Sequence, residues 1–554
     1  MNRAELFDRN LLALHLKAPD LCARLSNAET TLGFYNLVNS KSNLPVPFIK
    51  RERPLHSLFD PSKEAERLIA TVQNSGFLIL FGLGGGYHAQ AALQRKDIQS
   101  IVIIDFNLNA CAELLSLIDY VSILSDPRVT LIVDPNPEML FNYIVSVYKP
   151  ALHGGIQVIP LRSRVDADPE PFREAYETLQ DCIHTISEDY SVQAYFGRPW
   201  FSNTVRNIFI AEKHSKAISM GRDVSVTAAG PSLEIQLPHL LQNRKKTYIL
   251  ATDTSLPALL EHGIEPDAVI SIDCQHISYY HFLSGIPKHI PLFLDLSSPP
   301  VVASVSENTC FFSGGHPFTR YISEYWRPFP LVDTSGGNVT YAAVALANQL
   351  GASTITLYGA DFSYPEGESY VRGTYIHKLF ANKQDRLHPA ESSFSAFLFR
   401  NILLTKVDSE TSWRYETKPL ISYRKKLETL ANHLEAQLVI MEGKGAPISV
   451  PQKLHRSKRG LIKSVFTAGA SHTTGSEFLH SYAKIVEKMP DLLVPLPQYM
   501  MQLSETERDV FTTLLPLAAF LRRKNPDIPL HMLFAKVKDM TLQQLSPFLS
   551  FSAK

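Results

Sequence analysis

The residue types best suited to chemistry sit at the ends of short apolar runs. Val224, Val226 and Ala228 lead into Gly230-Pro231-Ser232, and an amphipathic stretch follows. This order predicts a strand, a tight turn and a helix start. Glycine there tolerates unusual backbone angles and close approach, and a helix N-terminus with a serine favours an anion. Tyr248-Ile249-Leu250-Ala251 runs into Asp253-Thr254, and Val269-Ile270-Ser271-Ile272 runs into Asp273. Thr334-Ser335-Gly336-Gly337-Asn338 precedes an alanine-rich helical stretch, and Thr354–Tyr358 runs into Gly359-Ala360-Asp361. Polar groups collected at carboxyl ends of apolar strands describe the ligand crevice of an open α/β sheet, with a nucleotide-type anion as the expected guest.

The elements needed to position these groups give an α/β fold class in three parts. Residues 1–215 are expected to form a Rossmann-like domain with flanking helices, residues 216–450 a central doubly wound, mostly parallel sheet, and residues 451–554 a helical C-terminal domain. In the first part, Phe77–Phe81 leads to Gly82-Leu83-Gly84-Gly85-Gly86, and a second apolar run, Ile101–Ile104, ends at Asp105. Strand, glycine turn, helix, strand and acid make a dinucleotide-type unit. It reads either as a site for S-adenosylmethionine or NAD, or as a structural turn. The segment LPVPFIKRERPLH reads as a connector, and Asp60-Pro61 as a helix start. Asp166-Ala167-Asp168 has the form of a metal–diphosphate motif but reads more readily as the start of a helix. Pro451–Lys463 reads as a solvated basic linker, and Ser504 with Glu507 as a capping box.

Bulk properties exclude several classes. The chain has 554 residues, 45% of them hydrophobic and 19% charged, with a formal net charge of zero. No global field draws it to nucleic acid or to an anionic membrane. Its five cysteines are scattered without CxxC spacing, which predicts a reduced, cytoplasmic chain with no zinc site. The N-terminal stretch lacks a cleavable apolar core, and no apolar run approaches the roughly 20 residues a membrane span needs.

Taken together, Gly230-Pro231-Ser232-Leu233, GIEPDAVISID, TSGGNVTYAAVALANQLGA and TLYGADFSY resemble the motility-associated factor (Maf) family of flagellin glycosyltransferases. The likeness spans about residues 200–445, and the same region is similar to 6-hydroxymethylpterin diphosphokinases and to bacterial CMP-dependent sialyltransferases. The resemblance implies transfer of a sialic-, pseudaminic- or legionaminic-like acid from a CMP-sugar to flagellin Ser/Thr, with no further cofactor and no metal. It assigns Gly230, Pro231, Ser232, Thr334, Ser335, Gly336, Gly359 and Asp361 to the nucleotide, joined by the strand-end and turn residues Asp253, Thr254, Asp273, Gly337 and Asn338. It gives Tyr364 and Tyr370 to the departing phosphate. Ala228-Ala229 stand where the sialyltransferases carry an asparagine. The acceptor hydroxyl calls for a general base, for which His377 is the first candidate and His316 the second. The alternatives are a pterin diphosphokinase using ATP and Mg²⁺, a non-catalytic flagellin-binding accessory protein, and a methyltransferase acting through Gly82–Gly86.

Overall fold

The computed structural model describes residues 2–28, 33–214, 217–400, 403–408, 413–452 and 466–549. The chain forms two compact units: residues 1–198 with 484–543, and residues 199–483 with 544–554. Most of the proposed linker Pro451–Lys463 lies outside the described residues.

In the first unit, β1 (Tyr35–Asn39), β2 (Pro45–Ile49) and β3 (Arg53–Pro54) form a small antiparallel sheet. The segment LPVPFIKRERPLH is therefore a pair of strands and not a connector. Val46, Pro47 and Ile49 are buried, and that burial overrides the weak strand propensity of proline at this sheet's margin. A second sheet, entirely parallel, comprises β4 (Phe77–Phe81), β5 (Ser100–Asp105), β6 (Val129–Val133) and β7 (Ile156–Pro160), in the order β6-β5-β4-β7. Alternation divides its side chains between two cores. Leu78, Leu80, Ile101, Ile103 and Leu131 enter one. Phe77, Ile79, Phe81, Val102, Ile104 and Ile132 enter the other, where Phe172, Leu179 and Cys182 of the helix Pro169–Ala211 cover them. Asp60 caps the helix Pro61–Ala70, and Ser504 with Glu507 forms the expected capping box on Glu505–Lys524.

The second unit is organised by a seven-stranded parallel sheet. Its first six strands are β8 (Asp223–Thr227), β9 (Tyr248–Thr252), β10 (Ala268–Ser271), β11 (Leu292–Asp295), β12 (Thr309–Phe312) and β13 (Thr354–Tyr358). An antiparallel group follows, β14 (Tyr364–Pro365), β15 (Leu404–Asp408) and β16 (Trp413–Thr417), before β17 (Gln437–Ile440) completes the main sheet. The order is β12-β11-β10-β9-β8-β13-β17. The chain thus winds outward from β8 to β12 and returns to the other side of β8 with β13. That reversal places a topological switch point between β8 and β13. Val226, Leu250, Ile270, Phe293, Ile355 and Leu357 bury completely or nearly so. Ala342, Ala343 and Ala347 of the helix Val339–Gln349 pack against them, since small side chains allow close approach. Asn203 and Asn207, one helical turn apart, donate to the carbonyls of Cys274 and Ser297 and of Leu296 and Ser298, at 2.7–2.9 Å. Those bonds fix the loops that leave β10 and β11.

Candidate functional site

Both strands at the switch point end in the predicted turns. Gly230 N–H donates to the Gly359 carbonyl at 2.8 Å, and Gly359 N–H donates to Gln236 Oε1 at 2.8 Å. Pro231 has helical backbone angles immediately ahead of the helix Ser232–Gln242. The N-terminus of that helix is occupied from within: Ser232 N–H donates to Asp361 Oδ2 at 2.8 Å, while Ser232 Oγ accepts from Lys444 N–H at 2.7 Å. A Cβ at position 230 would overlap the Asp361 carboxylate and the Gly359 carbonyl. Glycine is thus required by the chain's own atoms. Burial raises the Asp361 carboxyl above its usual range, against the hydrogen bonds from Ser232.

The neighbouring strand ends carry three more carboxylates. Asp253 Oδ1 accepts from the Thr254 N–H and hydroxyl, and its Oδ2 accepts from Ser271 Oγ at 2.6 Å. Asp273 is raised by burial, despite the Gln275 N–H that bonds it, and the charge of Asp253 adds to the rise. Asp295 is raised by burial too, opposed by His316, whose ring stacks on Trp200 at 3.9 Å. Thr334 Oγ1 donates to the Gly314 carbonyl at 2.9 Å, joining the Thr334–Asn338 turn to the end of β12. Asn338 is spent on its own helix: its Oδ1 accepts from Tyr341 N–H at 3.0 Å. Ser335 N–H donates to Asp333, Gly336 lies close under the Tyr341 ring, and Gly337 faces Tyr423. The second helix N-terminus, like the first, is satisfied internally.

The segment after Asp361 brings the tyrosines over this edge. Phe362 adopts a φ of +42°, a left-handed turn that starts the excursion. The Tyr370 hydroxyl is pushed up to about 12 by burial, with Tyr364, Tyr375 and Asp253 contributing and Arg400 opposing. Burial also raises Tyr364 and Tyr375, and Arg400 opposes both shifts. Tyr364, Tyr370, Tyr375, Arg400 and Asp253 therefore share one electrostatic neighbourhood. His377 bonds the Tyr370 carbonyl through Nε2 at 3.0 Å and packs on Phe394, 4.5 Å between ring centres. With Nε2–H donating there, Nδ1 is the nitrogen with a free lone pair.

Sequence reading did not find Tyr375, Arg400 or His281. His281 lies edge-on to Tyr375 at 4.9 Å, and its buried Nδ1 has no hydrogen-bond partner. No motif marks these residues. The one available signal was the aromatic density of the loop beyond Asp361. Among the described residues, no group of three or more His, Cys, Asp or Glu side chains is arranged to hold a metal ion. Asp166 caps the end of the short helix Arg162–Val165, and Asp168, which directly precedes the helix Pro169–Ala211, faces Arg164 at 3.9 Å.

The glycine turn of the first unit is filled by side chains. Asp105, in the place of a ribose-binding acid, accepts from Leu83 N–H at 2.7 Å and from Arg164 Nε at 2.9 Å. Gly84 is walled by Leu161 and His56, Gly85 N–H donates to His56 Nε2 at 2.8 Å, and Tyr120 donates to the Gly84 carbonyl. These contacts favour the structural reading of this turn.

The fold and these edges define a two-unit α/β protein with parallel sheets and its candidate site at the switch point of the larger one. Residues 51–157 match the glycosyltransferase Maf N-terminal domain, and residues 201–367 match the 6-hydroxymethylpterin diphosphokinase MptE-like domain. The solved structure of a Maf glycosyltransferase from Magnetospirillum magneticum AMB-1 aligns over 99% of this chain and 96% of its own, with a TM-score of 0.62 and 15% identity, a likeness of fold. The chain therefore resembles the Maf glycosyltransferases, in sequence over residues 51–157 and in fold along its length. Three uncharacterized proteins of Treponema pallidum (strain Nichols) are similar to parts of it: one 36% identical over 124 residues, a second 31% over 147 and a third 25% over 232. These matches cover 22%, 26% and 39% of this chain. The chain spans 44%, 70% and 40% of those relatives' own lengths.

Proposed function

We propose that the second unit is a glycosyltransferase that moves a nonulosonic acid from a CMP-sugar to a Ser or Thr hydroxyl of flagellin, in the cytoplasm. The observation that carries this reading is the pair of half-buried tyrosines, Tyr364 and Tyr370, on the segment that leaves the Asp361 turn and returns to the β8 turn, where Val371 N–H donates to the Ala229 carbonyl at 3.0 Å. In the transfer, the acceptor oxygen attacks the anomeric carbon, the bond from that carbon to the phosphate oxygen breaks, and CMP leaves with the bonding electrons. Tyr364 and Tyr370 donate to the phosphate as its charge grows, which favours the transition state over the bound donor. His377 Nδ1 takes the acceptor proton, with Nε2–H held on the Tyr370 carbonyl to fix the ring. Asp253 and Thr254, with Asp273 beyond them, border the nucleotide, and the Thr334–Asn338 turn borders it from the β12 side. The reaction as drawn draws on the donor substrate alone and needs no added cofactor.

The test is incubation of purified flagellin with the protein and CMP-linked sialic, pseudaminic and legionaminic acids, followed by intact mass spectrometry. A mass increase of one sugar residue supports the reading, and its absence with every donor refutes it. The match of residues 201–367 to an MptE-like domain favours, as a second reading, diphosphate transfer from ATP to a hydroxymethylpterin with Mg²⁺. Formation of AMP in a pterin-dependent manner would identify that activity. Equal binding of flagellin with and without CMP-sugar, without transfer, would identify an accessory protein.

A further inference from the structure

The crevice of the second unit presents four carboxylates, Asp253, Asp273, Asp295 and Asp361, and the N-termini of the helices Ser232–Gln242 and Val339–Gln349 are satisfied by the chain's own side chains. An anionic ligand needs a cation there. Several nearby basic side chains are paired with carboxylates: Lys378 with Glu261, Lys444 with Glu366, Arg414 and Arg424 with Glu416, while Lys426 donates to the Ser335 carbonyl at 3.5 Å. Arg400 differs. No carboxylate pairs with it among the described residues. Its guanidinium lies 3.9 Å over the ring of Phe397, and that ring lies 6.2 Å from Tyr370. Stacking of this kind holds the planar fork while leaving its N–H edges open, the arrangement that suits bidentate oxyanion binding. Arg400 also ends the helix Ala390–Phe399, where the negative end of the dipole favours a cation.

We propose that Arg400 holds the phosphate of the ligand in this crevice, presenting it to the hydroxyls of Tyr364 and Tyr370. The same guanidinium already lowers the cost of charge at all three tyrosines, which places it within electrostatic reach of the group they would bind. This inference rests on the donor-nucleotide reading for the identity of the ligand, and on the side-chain geometry for the role of Arg400.

Isothermal titration of the full chain with CMP, cytidine, inorganic pyrophosphate and N-acetylneuraminic acid tests it, using wild type, Arg400→Gln, Arg400→Lys and the surface control Arg386→Gln. Arg400→Gln is expected to weaken CMP at least tenfold, leave cytidine unchanged and flatten the salt dependence of CMP binding. Arg400→Lys is expected to fall between, and Arg386→Gln to match wild type. Equal weakening of CMP and cytidine would mark a structural role and overturn the proposal, as would unchanged CMP binding. Weakening confined to N-acetylneuraminic acid would move Arg400 to a carboxylate and overturn the phosphate assignment. A wild type that binds pyrophosphate through Arg400 but no CMP keeps the proposal and removes the CMP donor. A wild type that binds none of these anions removes both.

Discussion

Gly230→Ala distinguishes a glycine kept for a ligand from one kept for the fold. The new Cβ would overlap Asp361 Oδ2 and the Gly359 carbonyl. Forcing a methyl into packed space costs about 1–3 kcal/mol. Asp361→Ala alone removes the acceptor of Ser232 N–H, and a buried donor left without a partner costs about 1–3 kcal/mol. Both variants act on one contact, so together they should lose less than the sum, by at least about 0.5 kcal/mol. The relief is incomplete because the Gly359 carbonyl stays in place. The chain has three tryptophans, Trp200, Trp326 and Trp413, and all lie in the second unit. Tryptophan fluorescence during urea unfolding therefore reports that unit alone. Strictly additive energies would refute the contact. So would a Gly230→Ala protein of wild-type stability that no longer binds CMP, since the glycine would then serve the ligand.

Tyr364→Phe and Tyr370→Phe should each slow sugar transfer roughly a hundredfold, about 3 kcal/mol, with flagellin affinity and EDTA response unchanged; full activity in the double variant, by mass spectrometry, would remove their role. Burial holds the Asp273 carboxyl protonated more readily in the folded chain, so its contribution to stability is present below its usual 3.8 and is lost as pH rises through the higher folded value. Asp273→Asn should accordingly flatten that fall in melting temperature and be the more stable protein at neutral pH; an unchanged pH profile by calorimetry would contradict this. Gly84→Val places a branched side chain at a φ of +52° against Leu161 and His56, and should destabilise the first unit by about 1–3 kcal/mol or more. Circular dichroism should register the loss while CMP affinity in the second unit stays at the wild-type value.

The strands of both main sheets were legible because a parallel strand covered on two faces reads as an uninterrupted apolar run, as in FLILF of β4 and YILAT of β9. β17 was not, since it lies at the sheet edge and only Leu438 is buried. β15 and β16 form a partly exposed antiparallel pair, and the polar–aromatic alternation of WRYET in β16 lacks the apolar run that marks the buried strands. The helix Lys418–His433 follows β16, its N-terminus capped by Thr417. At the candidate site, the turns were readable because glycine, proline and terminal acids have fixed local meanings. What those turns hold was not readable. That Asp361 reaches Ser232 across 129 positions of sequence, or that Arg400 reaches the tyrosine cluster, depends on long-range packing that no local spacing encodes.

Asp361 gives the Gly230-Pro231-Ser232 turn a resident occupant. A carboxylate anchored by the fold acts as an intramolecular competitor whose effective concentration exceeds the millimolar range of a flexible tether. An oxyanion arriving from solution must displace it, and displacement is easiest when the acid is neutral. Burial has already shifted Asp361 toward that neutral form. An oxyanion that displaces the carboxylate also removes the Ser232 hydrogen bond that favours its charged form, so such binding should couple to proton uptake and strengthen as the solution becomes more acidic.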